Sequence, residues 1–474
     1  MVDISTYKRV YFIGIGGIGM SALARYFVWM RYDVAGYDKT PSGLTEDLER
    51  EGMTVVFEEA VNAIPLLYRS EDQKSETLVV YTPAIPTEQP QLKYFAENGY
   101  ALHKRAEILA AITEGKTTIA VAGTHGKTST AAIISHILAE ADVPFMGFLG
   151  GIASNYNTNF ISSTTREANL CVVEADEYDK SFLRLSPDFA IVTAIESDHL
   201  DIYGDYESLR ATYYEFMGNV KDGGMVIAQV NIPKGDLPGR NWVPYSVSSD
   251  AEVFAKHVRI GNGKFYFDFH NPGLTIREIE MGVPGLHNIE NSLAAITAVL
   301  PFVKKTLDIK KALATFKGVK RRFEVIYNEI GSTYVDDYAH HPTEIDATIS
   351  TIKKLFPNAS VTGLFQPHLF SRTRDLADEF AASLSKLDRV YLLPIYPARE
   401  EPIPGVTSEM ILDKITAPEK FLVSKEKFLE EVRVNNFKVL LTIGAGDIDR
   451  LVKPIAQLLQ LKNIENEDAK AATA

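Results

Sequence analysis

At three places along this chain a short apolar run ends in glycines or charged side chains, and a helical pattern begins within a few residues. Residues 10–15 lead through Gly14-Ile15-Gly16-Gly17-Ile18-Gly19 into the pattern 21–30. Residues 118–122 lead through Gly123-Thr124-His125-Gly126-Lys127 into 130–140, and residues 333–337 lead through Tyr338-Ala339-His340-His341 into 342–355. A strand that feeds directly into a helix cannot fold back as a hairpin. It makes a crossover, and repeated crossovers build a parallel sheet covered by helices. Further apolar runs at 33–37, 78–81, 170–174, 189–195, 224–230, 360–365, 388–393 and 438–443 extend the same alternation. Only 254–269, alternating around Gly261-Asn262-Gly263, reads as an antiparallel hairpin. A chain of 474 residues exceeds what one core sustains, so several α/β units are expected.

The polar turn Thr113-Glu114-Gly115-Lys116 and the restart of the pattern at 317–322 set the boundaries. The expected architecture is α/β in three domains. Residues 1–113 form a Rossmann-like unit, 114–320 a central unit of phosphate-loop ATPase type with a mostly parallel sheet, and 321–474 a second Rossmann-like unit. A polar, alanine-rich tail from about 463 is expected to fray.

Forty-nine basic against 62 acidic residues give a net charge of −13, which offers nothing to nucleic acid or an anionic membrane. No stretch reaches the roughly 20 apolar residues of a membrane span. The uncharged run 10–24 after Lys8-Arg9 imitates a signal peptide. Its four glycines suit a strand and turn better than an apolar helix, so the expected compartment is the cytoplasm. The single Cys171 excludes an intrachain disulfide and fits a reducing compartment.

Gly123-Thr124-His125-Gly126-Lys127-Thr128-Ser129 lies between a strand and a helix. Backbone N–H groups at a helix N-terminus cradle phosphate, Lys127 adds a cation, and the Thr128 hydroxyl can ligate magnesium. The common phosphate-loop pattern has a glycine where Val121 stands. A lysine in such a loop is expected to serve the ligand and not the core. The run 171–174 delivers Glu174, an oxygen donor suited to a hard cation, followed by Asp176, Glu177 and Asp179. The run 191–195 delivers Glu196, Asp198, His199 and Asp201 in the same way. Gly14 to Gly19, with Asp38 ending the next strand, offers a diphosphate site without saying whose diphosphate; a nicotinamide dinucleotide with its ribose on Asp38 fits equally. In the third unit Asp337, His340 and Arg372 are placed to meet a ligand at the sheet's carboxyl edge.

Taken in order, these motifs resemble the Mur ligase family, ATP-dependent amide-forming enzymes of peptidoglycan precursor synthesis. Gly285-Leu286-His287-Asn288-Ile289-Glu290-Asn291, Arg321-Arg322-Phe323 and Gln366-Pro367-His368-Leu369-Phe370-Ser371-Arg372 complete the set, and the resemblance covers nearly the whole chain. It implies a reaction joining UDP-N-acetylmuramate, L-alanine and ATP through an acyl phosphate, with ATP and Mg2+ as cofactors and a monomer or weak homodimer as the active species. It implies that Gly123, Thr124, His125, Gly126, Lys127, Thr128, Ser129, His287, Asn291, Arg322 and Asp337 hold the nucleotide. Thr128, Glu174 and His199 would serve magnesium. Gly16, Gly17, Ile18, Gly19, Met20 and Ser21 would hold the sugar nucleotide, and Tyr338, His340 and Arg372 would face the reacting carboxyl and amine. Lys127, His199, His340 and Arg372 are the implied catalytic set. The stretch 177–183 is similar to the alanine-adding branch of the family rather than to the branch that recycles a murein tripeptide. Leu369 stands where relatives carry an arginine, which concerns amino-acid binding. Two other readings, a dehydrogenase built on Gly14 to Gly19 and a non-catalytic nucleotide switch, leave the phosphate loop's carboxylates or the third unit's histidines unused.

Overall fold

Strands that are apolar on both faces must be covered on both faces. The structure, a computed structural model, describes residues 2–196, 200–248, 250–329, 331–398 and 400–471, with the backbone alone at 200, 201 and 465–471. Among the described residues, three sheets carry the chain. The first contains β1 (Arg9–Ile13), β2 (Asp33–Tyr37), β3 (Thr54–Val56), β4 (Thr77–Tyr81) and β5 (Ala101–Lys104). Its order is β3-β2-β1-β4-β5 with every pair parallel. The order reverses between β1 and β4, which opens a crevice at the strands' carboxyl ends. Residues 10–13 of the uncharged N-terminal run are the fully buried centre of this sheet.

The second sheet contains β6 (Thr117–Ala122), β7 (Met146–Ala153), β8 (Thr158–Ser162), β9 (Leu170–Glu174), β10 (Phe189–Val192), β11 (Met225–Gln229), β12 (Asn241–Ser246), β13 (Val253–Gly261), β14 (Lys264–Asn271) and β15 (Leu274–Glu280). They run in the order β15-β14-β13-β12-β11-β10-β6-β9-β7-β8. β6 lies between β10 and β9, parallel to both. Antiparallel pairs β7–β8 and β14–β15 close the two ends. The third sheet contains β16 (Glu324–Glu329), β17 (Ser332–Asp337), β18 (Val361–Phe365), β19 (Arg389–Leu392), β20 (Glu419–Leu422) and β21 (Val439–Ile443), ordered β16-β17-β21-β18-β19-β20. β16 is antiparallel to β17 and the remaining pairs are parallel. The fold is a three-domain α/β architecture with mostly parallel sheets.

By internal packing the chain divides into two compact units. The first comprises Met1–Val258, Tyr266–Gly282 and Ile289–Lys317; the second comprises Arg259–Phe265, Val283–Asn288 and Gly318–Ala474. Within the first unit the final residues before Gly318 are clamped. The Asn155 amide donates to the Thr315 carbonyl (2.9 Å) and accepts from the Lys317 N–H (2.7 Å). Buried His136, on the helix Lys127–Glu140, reaches Tyr156 (2.7 Å) and Thr315 (3.1 Å), and burial pulls its pKa down to about 4. Cys171 is buried on β9, and burial pushes its thiol up to about 12. Among the described residues no helix is long and apolar enough to cross a membrane.

The elements missing from the sequence reading have weak local signals. β20 is exposed along its whole length, and β7 is interrupted by Gly150 and Gly151. The helix expected at 130 begins at Lys127, because Gly126 turns the chain in a left-handed conformation (φ 80°) straight into the first turn. Of the tail expected to fray, residues 463–471 have helical backbone as the end of the helix Val452–Ala471.

One contact fixes how closely β2 meets the first glycine turn. A Cβ on Gly36 would lie 2.6 Å from the Phe12 carbonyl oxygen and 2.9 Å from the Ile15 side chain. Gly36→Val is therefore expected to destabilise the protein by about 1–3 kcal/mol through overpacking. The check is the denaturation midpoint, and an unchanged midpoint would contradict the packing.

Candidate active site

The first glycine turn leaves β1 at Gly14 (φ 90°) and enters the helix Ile18–Trp29 at Gly17, where no side chain caps the first N–H groups. Gly16 donates its N–H to Asp38 Oδ2 at 2.8 Å, and a Cβ there would meet the same carboxylate. Asp38 therefore shapes the turn. Gly16, Gly17, Ile18 and Gly19 are at least partly open to solvent. Met20 and Ser21 are not: Met20 belongs to the core, and the Ser21 hydroxyl donates to the Ile18 carbonyl (3.0 Å) and accepts from Asn159 (2.9 Å). Both side chains support the turn from behind. Arg105, which the motif reading missed, lies against Gly19, with its guanidinium 2.5 Å from where a Cβ would stand, and its other nitrogen 3.3 Å from Asp176. Its signal was a single arginine more than eighty residues from the turn.

The phosphate loop joins β6 to the helix Lys127–Glu140. The segment after β10 holds its backbone: Thr124 N–H donates to the Ala194 carbonyl (3.0 Å), Thr193 Oγ1 donates to the His125 carbonyl, and Glu196 N–H donates to Thr124 Oγ1 (3.2 Å). The His125 ring faces Glu196 at 3.3 Å. A Cβ on Gly126 would lie 2.7 Å from Asn291 Oδ1, so the left-handed turn and the neighbouring asparagine both require glycine there. Thus Asn291, expected from resemblance alone, sits at the loop. Gly123, Thr124 and Thr128 are buried, and Ser129 is partly exposed.

Lys127 also has partners within the protein: its ammonium donates to the Gly123 carbonyl (2.6 Å) and to Glu177 (2.7 Å), whose side chain is 1 % exposed. Burial pulls the lysine pKa down, but Glu177, Asp176 and Glu174 outweigh it and hold the ammonium above its ordinary range. Glu174 accepts from Thr128 Oγ1 (3.0 Å) and from Gly150 N–H (2.7 Å). Burial pushes its carboxyl pKa up, opposed by Lys127 and these two donors. A hydroxyl and a carboxylate oxygen in contact form a donor set that suits a hard divalent cation. His199, implied as a metal ligand and catalytic residue, lies outside the described residues. Just past the carboxylates, Asp179 and Lys180 both adopt left-handed backbone angles (φ 56° and 54°), strain of the kind that collects at functional loops.

In the second unit the carboxyl end of β17 gathers the expected residues. Asp337 accepts from Thr348 Oγ1 (2.6 Å), Ala339 N–H (2.9 Å) and Phe323 N–H (3.3 Å), and burial raises its pKa to about 6. The Tyr338 ring has Arg322 at 4.9 Å and Arg321 at 5.2 Å, each cation over its π-system. His340 Nδ1 lies 3.0 Å from the Tyr338 carbonyl, which places the proton there and leaves Nε2 as an acceptor. Burial lowers its pKa to about 4; Glu344 opposes this, while Arg372 and Arg322 add to it. His287 is likewise neutral, lowered to about 4 by burial. Arg372 stands on the short helix Phe370–Asp375, whose entry residue Leu369 has φ 71° and is held by Tyr396 and Thr373. Tyr338, His340 and Arg372 therefore share one neighbourhood, as expected.

Comparison with known proteins agrees with this geometry. Residues 9–117 match the model described as "Mur ligase family, catalytic domain", 121–299 match "Mur ligase middle domain", and 321–446 match "Mur ligase, glutamate ligase domain". A UDP-N-acetylmuramate–L-alanine ligase of Flavobacterium johnsoniae is 45% identical over 458 residues, 97% of this chain and 99% of that protein. Among solved structures, the UDP-N-acetylmuramate-alanine ligase of Thermotoga maritima superposes with a TM-score of 0.79 at 26% identity, covering 96% of this chain and 99% of its own. A murein peptide ligase of Psychrobacter arcticus gives 0.65 at 22% identity, covering 94% and 98%, a likeness of fold. With its three domains matched in order and a relative this similar along nearly its whole length, the chain belongs to the Mur ligase family.

Proposed function

We propose that this protein is an ATP-dependent ligase that joins L-alanine to the lactyl carboxylate of UDP-N-acetylmuramate in peptidoglycan precursor synthesis. Similarity to alanine-adding relatives over 97% of the chain supports the substrates. The observation in the structure that carries the chemistry is the phosphate loop, whose lysine and threonine meet the carboxylates at the end of β9. A carboxylate resists attack by an amine until one oxygen becomes a leaving group. In this reading a lactyl oxygen attacks the γ-phosphorus, and the bond to the β-phosphate oxygen breaks to release ADP. The alanine nitrogen then attacks the acyl carbon, the carbon–oxygen bond to phosphate breaks, and the amine gives up a proton.

The chain's own residues do defined work in that sequence. The uncapped first turn at Lys127 offers N–H groups to the phosphates. Lys127 neutralises charge as it develops on the γ-phosphoryl group. Thr128 and Glu174 would hold magnesium, which when bound supplies further charge neutralisation to the phosphates. Asn291 lies beside Gly126, where it can reach the nucleotide. In the second unit Arg322 and Asp337 address the nucleotide, while Tyr338, His340 and Arg372 address the carboxyl and the amine. A histidine at about 4 is too weak a base to deprotonate an ammonium, so His340 accepts a hydrogen bond through Nε2 and orients the amine. The turn at Gly16 and Gly17 holds the diphosphate of the sugar nucleotide. This reading puts the enzyme in the cytoplasm, a reducing compartment that the single cysteine also fits.

The test of the route is positional isotope exchange in labelled ATP, with UDP-N-acetylmuramate present and alanine absent. Scrambling of the β–γ bridging oxygen is expected, and its absence counts against the acyl phosphate. The Lys127–Glu177 pair generates a second prediction. Lys127→Ala should lower turnover by at least about a hundredfold. It should also destabilise the protein by about 3 kcal/mol by stranding a buried carboxylate. Lys127→Met combined with Glu177→Gln should recover the thermal midpoint but not the activity; recovery of activity would remove Lys127 from the chemistry. The third concerns pH. Asp337 accepts protein hydrogen bonds as a carboxylate and gains a proton as pH falls through about 6. The kcat/KM for ATP should fall along a one-proton limb near that pH. Asp337→Asn should abolish the limb and His340→Asn should leave it in place, since His340 stays neutral down to about 4.

A further inference from the structure

Asn159 sits on β8 with its side chain fully buried, opposite a break in the pairing of β7. Phe148 pairs with Phe160 and Ala153 with Thr158, so the residues between them in β7, including Gly150 and Gly151, bulge away from the partner strand. The Asn159 amide nitrogen donates to the Ile18 carbonyl (2.6 Å) and to Ser21 Oγ (2.9 Å), both in the first turn of the helix Ile18–Trp29. Its oxygen accepts from Arg25 on the same helix, and Arg25 is held in turn by Glu51 through two bonds of 2.8 Å. Every polar atom of the amide is thus spent on one helix.

The hairpin's other contact is with the nucleotide carboxylate. The bulge aims the Gly150 N–H at Glu174 Oε2, and a Cβ on Gly150 would collide with that carboxylate. Glu174 also accepts from Thr128. A run of hydrogen bonds and strand backbone therefore connects the first turn of the Ile18–Trp29 helix with the phosphate loop. The same helix also packs aromatic rings on the hairpin: Tyr26 lies 5.5 Å from Phe148 and 5.9 Å from Phe160, and Trp29 lies 5.8 Å from Phe160. Ring packing supplies adhesion but tolerates rotation and sliding, whereas a fully satisfied buried amide permits one register.

We propose that Asn159 is a positioning residue: it fixes the register of the helix Ile18–Trp29 on the β7–β8 hairpin and so sets the spacing between the sugar nucleotide and Glu174. The inference rests on the reading that Gly16 and Gly17 hold the diphosphate. Misplacement of a reacting group by about 1 Å costs on the order of a hundredfold in rate. Asn159→Ala keeps the aromatic seam. It is expected to raise the KM for UDP-N-acetylmuramate about tenfold, leave that for ATP within about twofold, and lower kcat by more than about tenfold. A merely structural residue would lower the melting temperature and the active fraction with both KM values unchanged, and that result overturns the proposal. If the alanine variant does not fold, Asn159→Asp serves with the same readout, since it keeps a partner for Arg25 while losing both donors. Gly17→Val, measured in parallel, separates the two ideas. Its backbone angles suit valine (φ −65°, ψ 140°), and a Cβ there makes ordinary contacts. If Gly17→Val leaves the sugar-nucleotide KM unchanged, the diphosphate reading fails; if it raises that KM and Asn159→Ala does not, the positioning role fails.

Discussion

The buried ammonium of Lys127 faces the carboxylates at the end of β9 and offsets their charge. Glu174, Asp176 and Glu177 follow one another within four residues, and Lys127 faces them from the start of the neighbouring helix. Without a cation, burying Glu177 at 1 % exposure would be prohibitive, since an unpaired charge in the interior loses its hydration without recompense. The surrounding geometry serves this balance. β6 and β9 must be adjacent and parallel for their carboxyl ends to meet, which the sheet order provides. Gly126 must adopt a left-handed turn for the helix to begin at the lysine, and Gly150 must lack a side chain for its N–H to reach Glu174. Arg105 brings a second cation to Asp176 from the first sheet's side of the unit.

The second unit solves a different electrostatic problem. Three arginines cluster near one strand end; two of them face the ring of Tyr338, and each of these also pairs with a carboxylate, Arg321 with Asp336 (3.1 Å) and Arg322 with Glu344 (3.4 Å). The nearby histidines respond by staying neutral, because burial and positive neighbours both oppose a further proton. Leu369 enters this group through a backbone angle that a leucine rarely adopts. Its N–H is committed to Tyr396 and its carbonyl to Thr373, so the strain is sustained by hydrogen bonds on both sides.

Much of this was readable in the linear sequence because phosphate-binding chemistry is local. A glycine turn between an apolar strand and a helix is confined to about ten residues, and so is a strand that ends in carboxylates. The first turn, the Lys127 loop, Glu174 and Asp337 were all legible for that reason. What the sequence hid was who partners whom. Lys127 pairs with a residue fifty positions away, and Asn159 reaches back more than 130 positions to Ser21. Ser21 itself shows the limit of motif reasoning: its place in the glycine segment suggested a ligand, but its side of the helix faces the hairpin and not the turn's open side. The β7–β8 hairpin escaped notice because paired glycines erase the apolar alternation that marks a strand. His136, His287 and His340 share a residue type, and only burial and neighbours distinguish a clamp from a site.

The lone cysteine has a practical corollary. Cys171 is sealed inside the second sheet and its thiol is pushed up to about 12, so at neutral pH it offers negligible thiolate to any reagent. Native protein is therefore silent toward maleimides and disulfide-forming probes. A cysteine introduced at any exposed position would carry a label alone, and a pair of them would report distances between the two compact units without first removing a natural thiol.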